Sequence, residues 1–137
     1  MTASIGRAVD VLRAGGLVAF PTETVYGLGA DATNARAVQR LFAVKGRPPT
    51  HPVIAHIGAT ASLDDWSVDA SAAARDLAAR YWPGPLTLVL RRRDGTIVDE
   101  VTGHRPTVGL RVPAHPLAIE LLDAFGGAVA ALSLIHI

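Results

Sequence analysis

Residues 107–112, TVGLRV, alternate strictly: Val108, Leu110 and Val112 fall on one side of an extended chain, and Thr107, Gly109 and Arg111 on the other. No helix satisfies that period, so the chain must contain a strand with one face turned to a core. The other face carries a hydroxyl, a gap at glycine and a guanidinium. A ligand can lie over that gap, with Arg111 taking a planar anion such as a carboxylate or phosphate bidentately. A strand-surface ion pair accounts for Arg111 equally well from spacing alone.

The remaining pattern places this strand in a mixed α/β domain. Ile5, Ala8, Val9 and Leu12 have helical spacing, with Ser4 as the expected cap and Gly15-Gly16 as the stop. Residues 17–20 form a short buried strand ended by Pro21, and PTETVYGLG reads as a functional loop or irregular turn. Asn34 caps a helix over 35–45, with Val38, Leu41 and Phe42 inward and Gly46 ending it. A strand over 52–57 sets Ile54 and His56 on one face. Ser71 caps a helix with Ala74, Leu77, Ala78 and Tyr81 inward. Asp94-Gly95 predicts a hairpin between strands over 86–91 and 97–101. A last amphipathic helix uses Leu117, Ala118, Leu121, Leu122 and Phe125, and 128–137 is an apolar strand-like run. Strands and helices are intermixed without strict alternation, so the expectation is one domain built on a twisted mixed open sheet flanked by helices.

A chain of 137 residues, half of them apolar, is sized for a single core. Having no cysteine, it cannot be a disulfide scaffold or use thiolate chemistry. Charges or prolines interrupt every apolar run short of membrane-spanning length, so the expected setting is cytoplasmic with no membrane contact. A formal net charge of +1 gives no field that by itself calls for nucleic acid. Among thirteen basic residues Lys45 is the lone lysine, which suits a site wanting a compact point charge.

Residues 20–49 gather groups that a phosphate-handling site uses: hydroxyls at Thr22 and Thr24, glycines at 27 and 29, cations at Lys45 and Arg47. Each has a plainer reading. The glycines serve as turn residues, the threonines satisfy loop backbone, Lys45 complements a helix dipole, and Glu23 is solvated or paired. His56 in an apolar strand is by default a hydrogen-bonded structural histidine, and Arg91-Arg92-Arg93 by default a solvated turn. No metal-spaced His/Asp cluster is persuasive, so no protein metal site is expected.

Four blocks in order, PTETVYGLGADA, KGRPPTHPVIAHI, YWPGPLTLVL and TVGLRVPAHP, resemble the Sua5/YrdC/YciO family of L-threonylcarbamoyladenylate synthases over residues 5–131. The resemblance implies the YrdC-like fold and an enzyme joining L-threonine, bicarbonate and ATP into threonylcarbamoyl-AMP and pyrophosphate. Mg2+ would accompany ATP, with no organic cofactor. The product would pass to tRNA threonylcarbamoyl-transfer proteins that modify adenosine 37. Carried over by position, the threonine-binding residues are Thr24, His56, Arg111 and Ser133. The ATP-binding residues are Arg47, His51 and Thr107, and Lys45 and Arg47 are the catalytic cations.

The family continues from VAA into PSAN, whereas this chain reads VAALSLIHI, with Leu132 and Ile135 in the proline and asparagine places. The expectation is a YrdC-like domain over 1–131, a non-native or truncated tail over 132–137, weakened activity, and an exposed apolar terminal strand. The competing expectation is a non-catalytic module of the same fold that binds double-stranded RNA or tRNA, to which the RRRDG segment would contribute. A carbamoyl-transfer domain of the hydrogenase-maturation kind is a third.

Overall fold

The computed structural model of the chain describes residues 3–46 and 52–134. Helix α1 (Ala3–Arg13) buries Ile5, Val9 and Leu12 as its periodicity requires. It begins one residue ahead of Ser4, which therefore sits in the first turn and not at the cap. Gly15 turns the chain at φ 85° into β1 (Val18–Pro21).

The next stretch corrects the sequence reading. PTETVYGLG is a turn only over 22–25, because β2 (Tyr26–Asp31) runs antiparallel to β1, with Val18 opposite Gly29 and Pro21 opposite Tyr26. Gly29 is there for packing and not for a turn. A Cβ at that position would stand 2.5 Å from Val129 Cγ1 and 2.9 Å from the Phe20 ring.

Helix α2 (Ala35–Lys45) forms as read: the Asn34 side chain accepts from the Ala37 amide at 3.1 Å, and Gly46 closes the helix at φ 64°. After β3 (Ile54–His56) and β4 (Ser67–Val68) comes α3 (Ala72–Tyr81), capped by Ser71, which accepts from the Ala74 amide. Of its expected inward residues only Ala74 is buried; Leu77 and Tyr81 are 38% and 54% exposed. Most of the inward face of this helix is alanine methyl, which offers little area to bury.

Strand β5 (Leu88–Arg92) has no hairpin partner over 97–101. Both of its edges are already taken, by β4 and by β6 (Thr107–Arg111). Residues 99–102 instead form the short helix α4 (Asp99–Thr102), anchored by Asp99 against Arg92 at 2.7 Å, with Ile97 and Val101 buried beneath. Helix α5 (Pro116–Phe125) buries Ala118, Leu121 and Leu122, while Leu117, expected inward, is half exposed.

The final strand, β7 (Val129–Ser133), is not an exposed terminal strand. The seven strands lie in the order β1-β2-β7-β3-β6-β5-β4, so β7 is paired on both sides, antiparallel to β2 and to β3. Leu132 and Ser133 are part of it, and residues 135–137 lie outside the described residues. The mixed open sheet flanked by helices is thus as expected.

Its two faces are covered unequally. Helices α2 and α4 cover one face, packing Val38, Leu41, Phe42 and Val101 on Ala55, Val108, Leu110 and Ala130. On the other face α1 and α5 pack on Phe20 and Val129. Over β3, β6 and β5 that second face stays open, leaving Ile54 and Val89 37% and 68% exposed. Among the described residues no helix is long and apolar enough to cross a membrane.

The core assignment makes a graded prediction for urea unfolding. Leu110→Ala, at a position with no exposure, should cost about 2–5 kcal/mol. Asn34→Ala should cost about 1 kcal/mol through the lost cap, and Val89→Ala on the open face about 0.5 kcal/mol or less.

Candidate active site

Strands β3 and β6 are the parallel pair of this sheet, with His56 and Arg111 as register partners at their carboxyl ends. In open α/β sheets ligands settle outside the carboxyl ends of strands. A cavity of about 150 Å3 lies there, walled by Phe20 and Thr22 from one side, Leu132 and Ser133 from β7, and His56 and Arg111 from the parallel pair. That volume is well below the roughly 300–1,000 Å3 typical of drug-sized ligands, so the cavity suits a small metabolite.

Arg111 is only 8% exposed. Its Nε donates to the Gly84 carbonyl at 3.0 Å, and its Nη2 donates to Glu23 in an ion pair. The second Glu23 oxygen accepts from the Ala114 amide at 3.1 Å. Both open readings of Arg111 therefore meet: it is ion-paired, yet it also lines a cavity rather than the outer surface. Glu23 is the residue that sequence reasoning set aside. The signal for it was indirect, since a buried guanidinium demands a counter-charge and PTET supplies a carboxylate at the end of a strand.

His56 is buried, with its ring edge-on to Phe20 at 6.0 Å between centroids. Burial first, and the charge of Arg111 second, lower its pKa to about 4, partly offset by backbone groups of Val129 and Ile54. The ring is therefore neutral near pH 7. Backbone hydrogen bonds from the ring to Val129 and Ile54 fit the structural histidine expected by default, although its buried Nδ1 has no well-aligned partner among the described residues.

Thr22, rather than Thr24, lines the cavity. The Thr24 hydroxyl lies 3.0 Å from that of Thr22 on an exposed turn. Thr22 itself accepts from the Val25 amide at 3.1 Å and donates to the Val25 carbonyl at 2.6 Å, locking the turn.

A second groove, of about 370 Å3, opens on the same sheet face at the amino ends of the parallel pair. It shares Ile54 with the first cavity and is lined by Thr87, Val89, Thr107, Gly109 and Arg105. Gly109 forms its floor: a Cβ there would stand 3.2 Å from Thr87 Cγ2. Thr107 is thus placed in the groove and Arg111 in the cavity, on one face of one strand, as the alternation predicted. Lys45 ends α2, half-buried, and the chain re-enters the described residues at Pro52 on the groove's rim. Arg47 and His51 lie outside the described residues.

The triple arginine is not a solvated turn. Arg92 pairs with Asp99, and Arg93 donates to the carbonyls of Asp64 at 2.7 Å and Ser67 at 3.3 Å. A larger cavity of about 490 Å3 beside it mixes Arg91, Arg92 and Arg105 with Asp69 and Asp94. Its charges are of both signs, and it lies at the β4–β5 edge, away from His56 and Arg111. Among the described residues no group of three or more His, Cys, Asp or Glu could hold a metal ion.

Comparison with known proteins places this geometry. The Sua5/YciO/YrdC family, described as "Telomere recombination", matches residues 10–136. A threonylcarbamoyl-AMP synthase of Bacillus subtilis is 44% identical over 127 residues, which are 93% of this chain and 37% of that protein. One of Halorhodospira halophila is 41% identical over 129 residues, 94% of this chain and 67% of that one. The crystal structure of Pyrococcus abyssi Sua5 complexed with L-threonine superposes with a TM-score of 0.90 at 45% identity, covering 94% of this chain and 38% of that one. The chain thus spans little more than a third of the B. subtilis and P. abyssi proteins, and two thirds of the H. halophila one. Since the match takes in the hairpin, the parallel pair and β7 together, the chain belongs to the Sua5/YrdC/YciO family.

Proposed function

We propose that this domain forms L-threonylcarbamoyl-AMP and pyrophosphate from L-threonine, bicarbonate and ATP, for transfer to tRNA by partner proteins. The observation that carries the reading is the amino-acid-sized cavity in which Arg111, the neutral His56 and two hydroxyl-bearing residues, Thr22 and Ser133, converge. The L-threonine bound by the P. abyssi relative supports it.

The chemistry needs positioning and charge compensation, and no covalent enzyme intermediate. The threonine amine condenses with bicarbonate to a carbamate, releasing water. A carbamate oxygen then attacks the α-phosphorus of ATP, and pyrophosphate leaves. Several negative charges are brought together, so fixed donors and cations lower the barrier most. Arg111 would hold the threonine carboxylate with the donors left after Gly84 and Glu23. Neutral His56 would line the amino acid's pocket, and Thr22 and Ser133 would orient the amino acid from the hairpin and β7, with the Thr24 hydroxyl bonded behind Thr22. The groove over Gly109, with Thr107 on its wall, would take the nucleotide. Lys45 and Arg47, with His51 beside them in sequence, would offset triphosphate charge. Mg2+ would arrive on the phosphates, a mode suited to a cation that keeps most of its ligands as water and phosphate oxygen.

Pyrophosphate release from ATP tests the reading directly, with the expected result that it requires both threonine and bicarbonate. Release without threonine, or none under any condition, would overturn it. Arg111→Ala should lower kcat/KM for threonine by about 100-fold or more. Gly109→Ala should raise KM for ATP and leave threonine binding nearly unchanged.

The pH behaviour of His56 provides a further check. Its folded pKa of about 4 lies below the unfolded value of about 6.5. Between those values the unfolded chain binds the extra proton, so stability should fall as pH drops through that window. An NMR titration should show the His56 ring staying neutral down to about pH 5, and His56→Gln should remove that part of the stability slope. A His56 midpoint near 6.5 would contradict the burial argument.

A further inference from the structure

The turn between β1 and β2 carries a charged side chain, Glu23, to which the scheme above gives no role. We infer that Glu23 is a positioning residue of the amino-acid site: it fixes and neutralises the Arg111 guanidinium, so that the remaining donors meet the carboxylate of a zwitterionic amino acid in one orientation. The identity of the ligand rests on the function proposed above; the positioning itself does not.

The first ground is electrostatic. A guanidinium at 8% exposure needs a counter-charge, because leaving such an ion unpaired in a poorly solvated site is strongly unfavourable. Glu23 supplies it, with its own side chain 25% exposed. Both carboxylate oxygens are engaged, one by Arg111 and the other by the Ala114 amide at 3.1 Å. Glu23 thus ties the hairpin turn to the segment that follows β6.

The second ground is rigidity. Thr22 N–H donates to the Val25 carbonyl at 2.9 Å, and the Thr22 hydroxyl bonds both polar backbone groups of Val25. A carboxylate on so tightly bonded a turn is preset before any ligand arrives, unlike one on a gate that must swing aside. On the other flank Arg111 Nε donates to Gly84 O at 3.0 Å. These two contacts use two of the five guanidinium donors and leave three. Held from both flanks, the guanidinium can offer the rest in a fixed plane, which bidentate recognition of a carboxylate needs.

The third ground is selectivity. An unpaired arginine would attract any small anion, including the phosphate and bicarbonate that the proposed reaction brings nearby. A neutral Glu–Arg pair keeps the donor geometry and removes the net charge. An amino acid, itself neutral overall, then enters without a new charge imbalance, whereas a simple anion meets a carboxylate beside its target.

The test combines calorimetry with 15N NMR of the Arg111 Nε–Hε group, on the full chain and on Glu23→Gln, Glu23→Ala and Glu23→Asp. In the unaltered chain the Nε–Hε signal should be sharp and slow to exchange. Glu23→Gln should broaden it, weaken L-threonine binding by about tenfold or more, leave ATP affinity within about twofold, and strengthen binding of inorganic phosphate that threonine displaces. Glu23→Asp keeps the charge at shorter reach and should fall between. Unchanged or tighter threonine binding with a persistently sharp Arg111 signal in Glu23→Gln overturns the inference. If Glu23→Ala fails to fold, Glu23→Gln carries the test, since its amide oxygen can still accept from Ala114. If the unaltered chain does not bind threonine, the proposed function fails and the NMR signal alone decides: its loss in Glu23→Gln upholds the positioning, and its persistence refutes it.

Discussion

The cavity exists because β7, the last of the described strands, is inserted into the middle of the sheet. Strand β7 joins β2 on one side and β3 on the other, in registers that set Ser133 against Gly27, Ala131 against Ile54 and Val129 against His56. Without it the hairpin β1–β2 and the unit β3–β6–β5–β4 share no ladder. The smaller cavity draws Phe20 and Thr22 from the first unit and His56 and Arg111 from the second, and β7 provides the wall between. Such long-range pairing is slow to form, because its loop entropy must be overcome before its contacts count. It also makes the cavity a property of the completed sheet, so that no local segment can fold it alone.

Unequal cover then decides where ligands can go. Helices α2 and α4 seal one face over Ala55, Val108, Leu110 and Ala130, while α1 and α5 seal the other around Phe20 and Val129. What remains open is the face of Ile54, Gly109 and Val89, which are aligned across β3, β6 and β5 by register. Exposed apolar side chains scattered singly need no explanation. Here Val89 and Ile54 border one groove floored by glycine, and an apolar wall with a few polar groups is how small-molecule sites are usually built.

Much of this was legible in the sequence where local chemistry decides the outcome. The Asn34 and Ser71 caps, the Gly46 stop and the alternation through Thr107, Gly109 and Arg111 each follow from a few neighbouring residues, and each is realised. The failures share a cause in tertiary contacts. Gly27 and Gly29 look like turn residues because glycine weakens a strand, but Phe20 and Val129 crowd the site of a Gly29 side chain, and only glycine fits. Residues 97–101 looked like a strand, yet β5, the strand they would have paired with, has both edges taken by β4 and β6. Leu77 and Tyr81 have helical spacing, but α3 meets too little apolar surface to bury them. Glu23 went unassigned because its partner, Arg111, is 88 residues away.

The spacing of the two grooves bears on the proposed reaction. Ile54 and His56 are two residues apart on β3, as Gly109 and Arg111 are on β6, and the pairs are in register. Two strand residues span about 6–7 Å. A carboxylate held at Arg111 and a phosphate lying over Gly109 would then be separated by about two residues' length, nearly twice the ~3.5 Å that one amino acid's backbone spans. In the proposed reaction threonine's carbamoylated amine would project toward the phosphate. Adenylation needs reacting atoms brought to about 3–3.5 Å, and here the separation is set by the pleat of a parallel pair buried on its other face, not by loops. Rigid elements hold such distances better than loops do. The fixed orientation of Arg111 therefore matters more than its charge alone: a guanidinium free to rotate would lose the alignment that the strands provide.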